Sequence, residues 1–337
     1  MKSGDKLKLT TAAVLGAPLA LGVGEEAQAG GAPPGDFEAL CNTTITVDTM
    51  VSDFNDSITE PCLITLENDA DLWLEDGTIN QSDVLDYGIK IQASGDSSVH
   101  IKDVDIQTEN LNISLESADS CLDFYGNSTG VGQISIVGSR RNNLELDIGD
   151  TLSLSASCDV TVKWATLDNS EDPYGRFEIN LSSDDQGIAF LDSEIDGCLE
   201  ESTFDANTSV LIRDSEIRVC MSNDFSVSVT GNDGEINIRD NNIELETFAS
   251  LDVATSGGDN EVNLSDNDFS DSSAYGAAVN VDISGDYGSV IYKQNVLEDE
   301  EENPLSVSTD FSGFGGTCQD VVKKKLNEGN TDPCDNG

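Results

Sequence analysis

Aspartate, cysteine and a single histidine are the residue types whose spacing in this 337-residue chain could do chemistry. The aspartates are the most regular. Asp76, Asp103, Asp192, Asp214, Asp240 and Asp266 each follow two alternating apolar residues and precede a third, as in Ile236, Ile238, Asp240, Ile243. If these positions stack, their carboxylates lie about 4.8 Å apart and repel by ~1 kcal/mol per solvated pair. Backbone N–H groups at a turn could offset this, as could protonation, or Ca2+ bridging oxygens from two neighbouring levels. Asp214, Asp240, Asp266 and Asp268 are therefore the candidate calcium ligands, and Ca2+ is the one cofactor the sequence suggests. The run Asp266-Asn-Asp268-Phe-Ser-Asp271 has ligand-like density without the glycine of an EF-hand loop.

No catalytic residue is assigned. His100, flanked by Val99 and Ile101, reads as an outward-facing strand residue, and with no second histidine a Ser or Cys nucleophile lacks its base. No Gly-x-Ser-x-Gly elbow occurs. Asp184-Asp185 sits in a polar turn, and acids are so abundant that no carboxylate pair stands out for glycoside hydrolysis. Lys102, Arg213 and Arg239 share the place one residue before the aspartate column, where they would line an outward face and neutralise neighbouring acids. Contact with an anionic sugar is the alternative use of that stripe.

Charge narrows the partners. Asp and Glu number 65 against 16 Lys and Arg, a formal net charge of −49. Such a polyanion repels phosphates, which excludes nucleic acid, and is disfavoured at an anionic membrane surface. Divalent cations, polysaccharides and cell-surface components remain as candidate partners. An acidic coat also suits a saline habitat, where salt screens its self-repulsion.

Residues 1–29 read as a signal peptide: Lys2, Lys6 and Lys8, an apolar stretch from Ala12 to Val23, and Ala27-Gln28-Ala29 before Gly30. The apolar stretch is well short of the ~20 residues that span a bilayer. The expected location is therefore secreted, extracellular or cell-surface, with the periplasm as a variant. Export makes an even cysteine count read as disulfides. They fall as neighbours, Cys41 with Cys62, Cys121 with Cys158, Cys198 with Cys220, and Cys318 with Cys334.

The elements that must position these residues are short strands. The pattern apolar-x-apolar-x-Asp-x-x-apolar begins at Leu72, Val99, Ile134, Val160, Ile188, Val210, Ile236, Val262 and Val290, with Trp164 and Gln294 standing in the aspartate column. Alternation means a strand with one buried face, and a period in the twenties means a solenoid. A second alternating strand recurs, as at Val279, Val281 and Ile283, followed by turns such as Gly257-Gly-Asp-Asn260 whose glycines are expected to supply positive φ. Coils of this kind bury a core only by stacking, in parallel. About ten coils give a rod of roughly 45–50 Å. A β-sandwich is the rival, but it demands no fixed phase between aspartates.

The segments Cys41-Asn-Thr-Thr-Ile-Thr, Cys62-Leu-Ile-Thr-Leu and Asp71-Leu-Trp-Leu-Glu-Asp-Gly-Thr-Ile79, with the repeat after them, resemble the pectin-lyase-like superfamily over roughly 41–316. That resemblance implies an all-β, right-handed parallel β-helix with disulfide-clipped N- and C-terminal caps. The expected organisation is a signal peptide 1–29, a Gly/Pro leader 30–40, the β-helix domain 41–317 and a C-terminal cap 318–337, with Asp320 to Leu326 as a short helix. The superfamily holds lyases, hydrolases, epimerases, adhesins and inert proteins. The leading expectation is thus a non-catalytic structural or interaction rod. The alternative is a carbohydrate-active β-helix, a polysaccharide lyase, hydrolase or binding protein.

Overall fold

Alternation along Glu235–Arg239 puts Ile236 and Ile238 on one side of a strand. Both are fully buried, and so are their counterparts Val210 and Ile212 before them and Val262 and Leu264 after them. The computed structural model describes residues 36–81, 88–95, 97–116, 134–137, 144–156, 160–163, 165–168, 176–181, 187–196, 199, 202–219, 222–246, 248–271, 277–293, 295–299, 306–312 and 315–321. Residues 1–29, the leader as far as 35 and the chain beyond 321 lie outside them.

Every described strand pairing is parallel, and the register holds throughout except for one shift between Thr108 and Asn110. Ser209–Arg213 lies on Glu235–Arg239, which lies on Glu261–Ser265 and then Ser289–Lys293. A second ladder runs through Glu216–Val219, Asn242–Leu245, Asp268–Asp271 and Val296–Asp299. A third runs through Asp224–Val229, Ser250–Thr255, Ala278–Ile283 and Ser306–Phe311. The fold is an all-β parallel solenoid, a β-helix, with three faces around one apolar interior. Among the described residues the helical content is one 3-10 turn, Glu38–Leu40.

The coils are less uniform than the spacing implies. The solenoid has about seven turns rather than the ten expected, and from Val160 onward each turn uses three separate short strands. Before that point Thr49–Ser57, Leu72–Asn80 and Leu144–Ala156 run unbroken around one corner and pair on two faces, while Val99–Glu116 rounds two corners and pairs on three. The physical reason is the corner itself. At Asp53, Asp76 and Asp103 one residue in the left-handed region turns the chain, so the ladder resumes a residue later with no loop.

That residue is the column aspartate. Asp53, Asp76, Asp103, Asp192, Asp214, Asp240 and Asp266 all have φ between 48° and 57°. Asp and Asn tolerate this conformation because a short polar side chain can bond locally. A second corner places Asp233, Asp259 and Tyr287 there, at φ 55°, 57° and 59°. This corrects the role expected of the turn glycines, which do not have positive φ. They are needed for closeness instead. A Cβ on Gly257 would lie 1.8 Å from the Gly231 carbonyl oxygen, and one on Gly285 would lie 1.5 Å from that of Gly257.

The N-terminal end is covered by the chain just before the first strand. Phe37 and Leu40, from the expected leader, are buried, and the Asp56 carboxylate accepts the Phe37 and Glu38 backbone N–H groups. Phe37 stacks on Phe54 at 5.9 Å, and Gly77 leaves room for the Phe54 ring. Cys41 and Cys62 form a disulfide between adjacent turns, as expected. Cys121, Cys158, Cys198, Cys220 and Cys334 lie outside the described residues. At the other end Asp320 and Val321, expected to open a helix, belong to the strand Thr317–Val321.

Replacing Asp240 with Asn should leave the thermal midpoint nearly unchanged, because Asn keeps both the φ and the short polar side chain. Asp240→Val should lower stability by about 1–2 kcal/mol, the cost of a β-branched residue in that conformation. Denaturant titration of the two variants measures the difference.

Candidate functional site

The aspartate corner gathers most of the polar groups that could act together. Asp214, Asp240 and Asp266 occupy one column, each a turn above the last, following Arg213, Arg239 and Ser265 in register. Asp268 stands apart from them. It belongs to the next face, in the row Glu194, Glu216, Asn242, Asp268. Between column and row runs a shallow groove of about 430 Å³, lined by Asp192, Glu194, Asp214, Glu216, Asp240 and Asn242 with Ser193 and Ser215 at its floor. Among the described residues no three His, Cys, Asp or Glu side chains converge as metal ligands would. The four expected calcium ligands are thus neighbours along an edge, split between two rows.

Two arrangements hold the acids in place. The first is a cation row. Lys102, Lys163, Arg213, Arg239 and Lys293 share one outward position, and Lys102, Arg213 and Arg239 stand immediately before column aspartates. Arg213 Nε lies 2.9 Å from Asp214 Oδ2, and Lys102 Nζ lies 3.9 Å from Glu75. Exposed pairs of this kind contribute about 0–1 kcal/mol each. On the second face Arg218 bonds Glu246 at 2.5 Å and approaches Glu244 at 3.7 Å.

The second is a buried polar ladder that the sequence reading did not find. From Asp192 onward the residue after the column position is polar and points inward: Ser193, Ser215, Asn241 and Asn267 are buried, and Asn295, after Gln294, is partly so. The Ser215 backbone N–H donates to Asn241 Oδ1 at 3.0 Å. The Asn241 amide donates to Asn267 Oδ1 at 3.0 Å and to the Ile212 carbonyl at 3.1 Å. Asn267 repeats the pattern with Asn295 at 3.0 Å and the Ile238 carbonyl at 2.8 Å. These amides bond the backbone groups that the corner leaves without ladder partners, which buried peptide groups require. The signal was present as Asp-Ser and Asp-Asn dipeptides at one phase of the repeat.

His100 lies three turns below the groove and three residues before Asp103, on the face that starts at Leu72. Its ring stacks on Trp73 one turn below, centroids 5.5 Å apart and planes 10° from parallel. Burial pushes the imidazole below its ordinary value, and the Asp71 carboxylate pulls it back part of the way. Burial raises Asp71, opposed by the hydrogen bond it accepts from the Ser98 N–H at 2.8 Å; the neighbouring Asp48 raises it further. The stack covers one face of the Trp73 ring. The other described aromatics are mostly interior, with the Phe204 ring in contact with both Phe190 and Phe225. Phe248 and Tyr287 are exposed, at two different corners.

The edge therefore offers an ordered row of carboxylates on a rigid frame, with its counter-charges built in beside it. The Cys41–Cys62 disulfide is a bond of the kind that oxidising compartments favour. No protein-family model, curated protein or solved structure matches the chain. What the fold and edge define is a class, the parallel β-solenoids.

Asn267→Ala should cost about 2–3 kcal/mol, because it orphans buried groups on both neighbouring turns; a urea midpoint shifted by less than a third of that would remove the ladder from the account. His100 gives a pH dependence. Its folded value is depressed, so its stabilising contribution is present above about pH 6.5 and is lost as pH falls through the folded value. Asp71, held high, acts oppositely: its contribution is full below 3.8 and lost as pH rises through its folded value. Between pH 7 and 5 the melting temperature of the natural chain should therefore fall more steeply than that of His100→Gln.

Proposed function

We propose that this chain is an exported, non-catalytic, right-handed β-helix of the pectin-lyase-like kind, serving outside the cell as a structural or interaction rod. The observation that carries this reading is the unbroken three-face ladder from Thr43 to Val321, whose interior is apolar and whose outside is acidic. Stacked coils make a stiff object with long, regular surfaces, which suits display and contact. The one histidine is committed to a ring stack, and the acids of the corner are held by backbone geometry, with Arg213 paired to Asp214. These arrangements account for the conspicuous residues without a reaction.

Cations are the partners that the charge favours. Calcium and other divalent ions gather along the aspartate edge as a condensed layer, because a net charge of −49 concentrates counter-ions over the whole surface. Polysaccharides and cell-surface components are the macromolecular partners this rod would meet.

The decisive measurement is a screen for reducing ends and unsaturated products over plant and marine polysaccharides, with and without calcium. No turnover is expected; sustained product release would move the chain to the carbohydrate-active reading. For the cations, melting temperatures in calcium and in chelator at equal ionic strength should agree within about a degree. A rise of several degrees with calcium alone would mean a defined site at Asp214, Asp240, Asp266 or Asp268.

A further inference from the structure

The N-terminal end of the solenoid has an open side. Thr49–Ser57 pairs with Leu72–Asn80 in the next turn, and no described strand precedes it. After the corner at Asp53 this strand runs along the second face, where Phe54 is buried and Asn55 and Ser57 are exposed. Val47 and Met50, close by in the same turn, are exposed as well. An edge of this kind presents unpaired N–H and C=O groups and invites another chain to continue the ladder.

Asn55-Asp-Ser57 on that edge has the form of an acceptor for N-linked sugar: Asn, any residue but Pro, then Ser or Thr. The chain holds eight such triplets, and the fold separates them. Those at Asn80, Asn127 and Asn180 include residues outside the described ones. In Asn263-Leu-Ser265 the serine is buried, and so is Asn263 Oδ1. Asn112 and Asn207 are half-buried, as are the matching Ser114 and Ser209. Asn42 is exposed, but its amide donates to the Pro61 carbonyl at 3.2 Å. Among the described residues only Asn55 has both the asparagine and its hydroxyl residue exposed, with no hydrogen bond on the amide. Alternation along the strand sets the two side chains on one outward face.

We propose that Asn55 carries an N-linked oligosaccharide, and that this sugar shields the open edge of Thr49–Ser57. The modification rests on the export reading above, because its donor, an oligosaccharide on a lipid pyrophosphate, is used at the membrane the chain crosses. In the transfer Asn55 Nδ2 bonds to C1 of the first sugar. The C1–O bond to the pyrophosphate breaks, the pyrophosphate leaves with that electron pair, and the amide gives up one proton. The folded solenoid must then leave the product in water, and the exposed side of the edge strand does so without moving a neighbouring turn. A bulky, solubilising group at this place blocks the approach of a further strand.

Mass spectrometry of the full chain recovered outside cells of its natural source tests the site. The peptide containing Asn55 is expected to be heavier by a series of sugar residues, with fragment ions that place them on Asn55. In Ser57→Ala that added mass should vanish, and in Ser57→Thr it should persist, although both variants keep Asn55 and its strand. A bare Asn55 on an exported chain that begins near Gly30 overturns the site and leaves export standing. A chain held inside the cell with residues 1–29 attached overturns the export reading and the site with it. Sugar retained in Ser57→Ala also overturns the assignment. For the shielding, Asn55→Gln should elute as larger, concentration-dependent species where the natural chain does not; identical elution of the two removes that role.

Discussion

Parallel stacking in register is the constraint on which everything else here depends. Each residue sits about 4.8 Å above a counterpart one turn earlier, so a choice made at one position is imposed on the whole column. Where the column is apolar this is favourable without further help: Val210, Ile236, Val262 and Val290 pack as a continuous seam. Each such side chain removed from water contributes roughly 1.5–3 kcal/mol. Where the column is polar, something must reconcile like with like. Asparagine does so with itself, because its amide both donates and accepts. Glycine does so by leaving nothing between backbones.

Aspartate is the column that cannot satisfy itself, and its surroundings show how the repulsion is contained. The left-handed corner turns Asp214, Asp240 and Asp266 outward, where water and salt screen them. The row beside them holds five of the chain's few cations. A basic row next to an acidic one leaves little net field at close range, while the protein as a whole stays strongly negative. Long-range charge and local contacts thus serve different ends: the first sets which partners approach, the second keeps the frame intact.

Much of the fold was legible in the sequence because its two periods are both short-range signals. Alternation within strands and the recurrence of Asp76, Asp103, Asp192, Asp214, Asp240 and Asp266 fixed strand, corner and stacking direction. The evenness of the coils was not legible. A corner made by one residue, as at Asp53, Asp76 and Asp103, lets a strand run on, and nothing in residue type distinguishes that from a broken strand. The glycine turns were read from conformational preference, whereas contact between turns decides them, and such contacts are invisible along one chain. The polar ladder went unseen for a similar reason. Ser193, Ser215, Asn241 and Asn267 look like ordinary turn residues until stacking places them inside, and the calcium ligands were sought in their more conspicuous neighbours.

The two corners differ in how freely the sequence can drift through them. At the aspartate corner the demand is a backbone angle and a small polar group, which two or three residue types can meet, one turn at a time. At the corner of Gly231, Gly257 and Gly285 the demand is empty space between consecutive carbonyls, and a methyl group on any member strikes the turn beneath. One edge of the solenoid is therefore open to gradual exploration of new surface chemistry, and the other is locked into bare backbone for as long as the turns stay stacked.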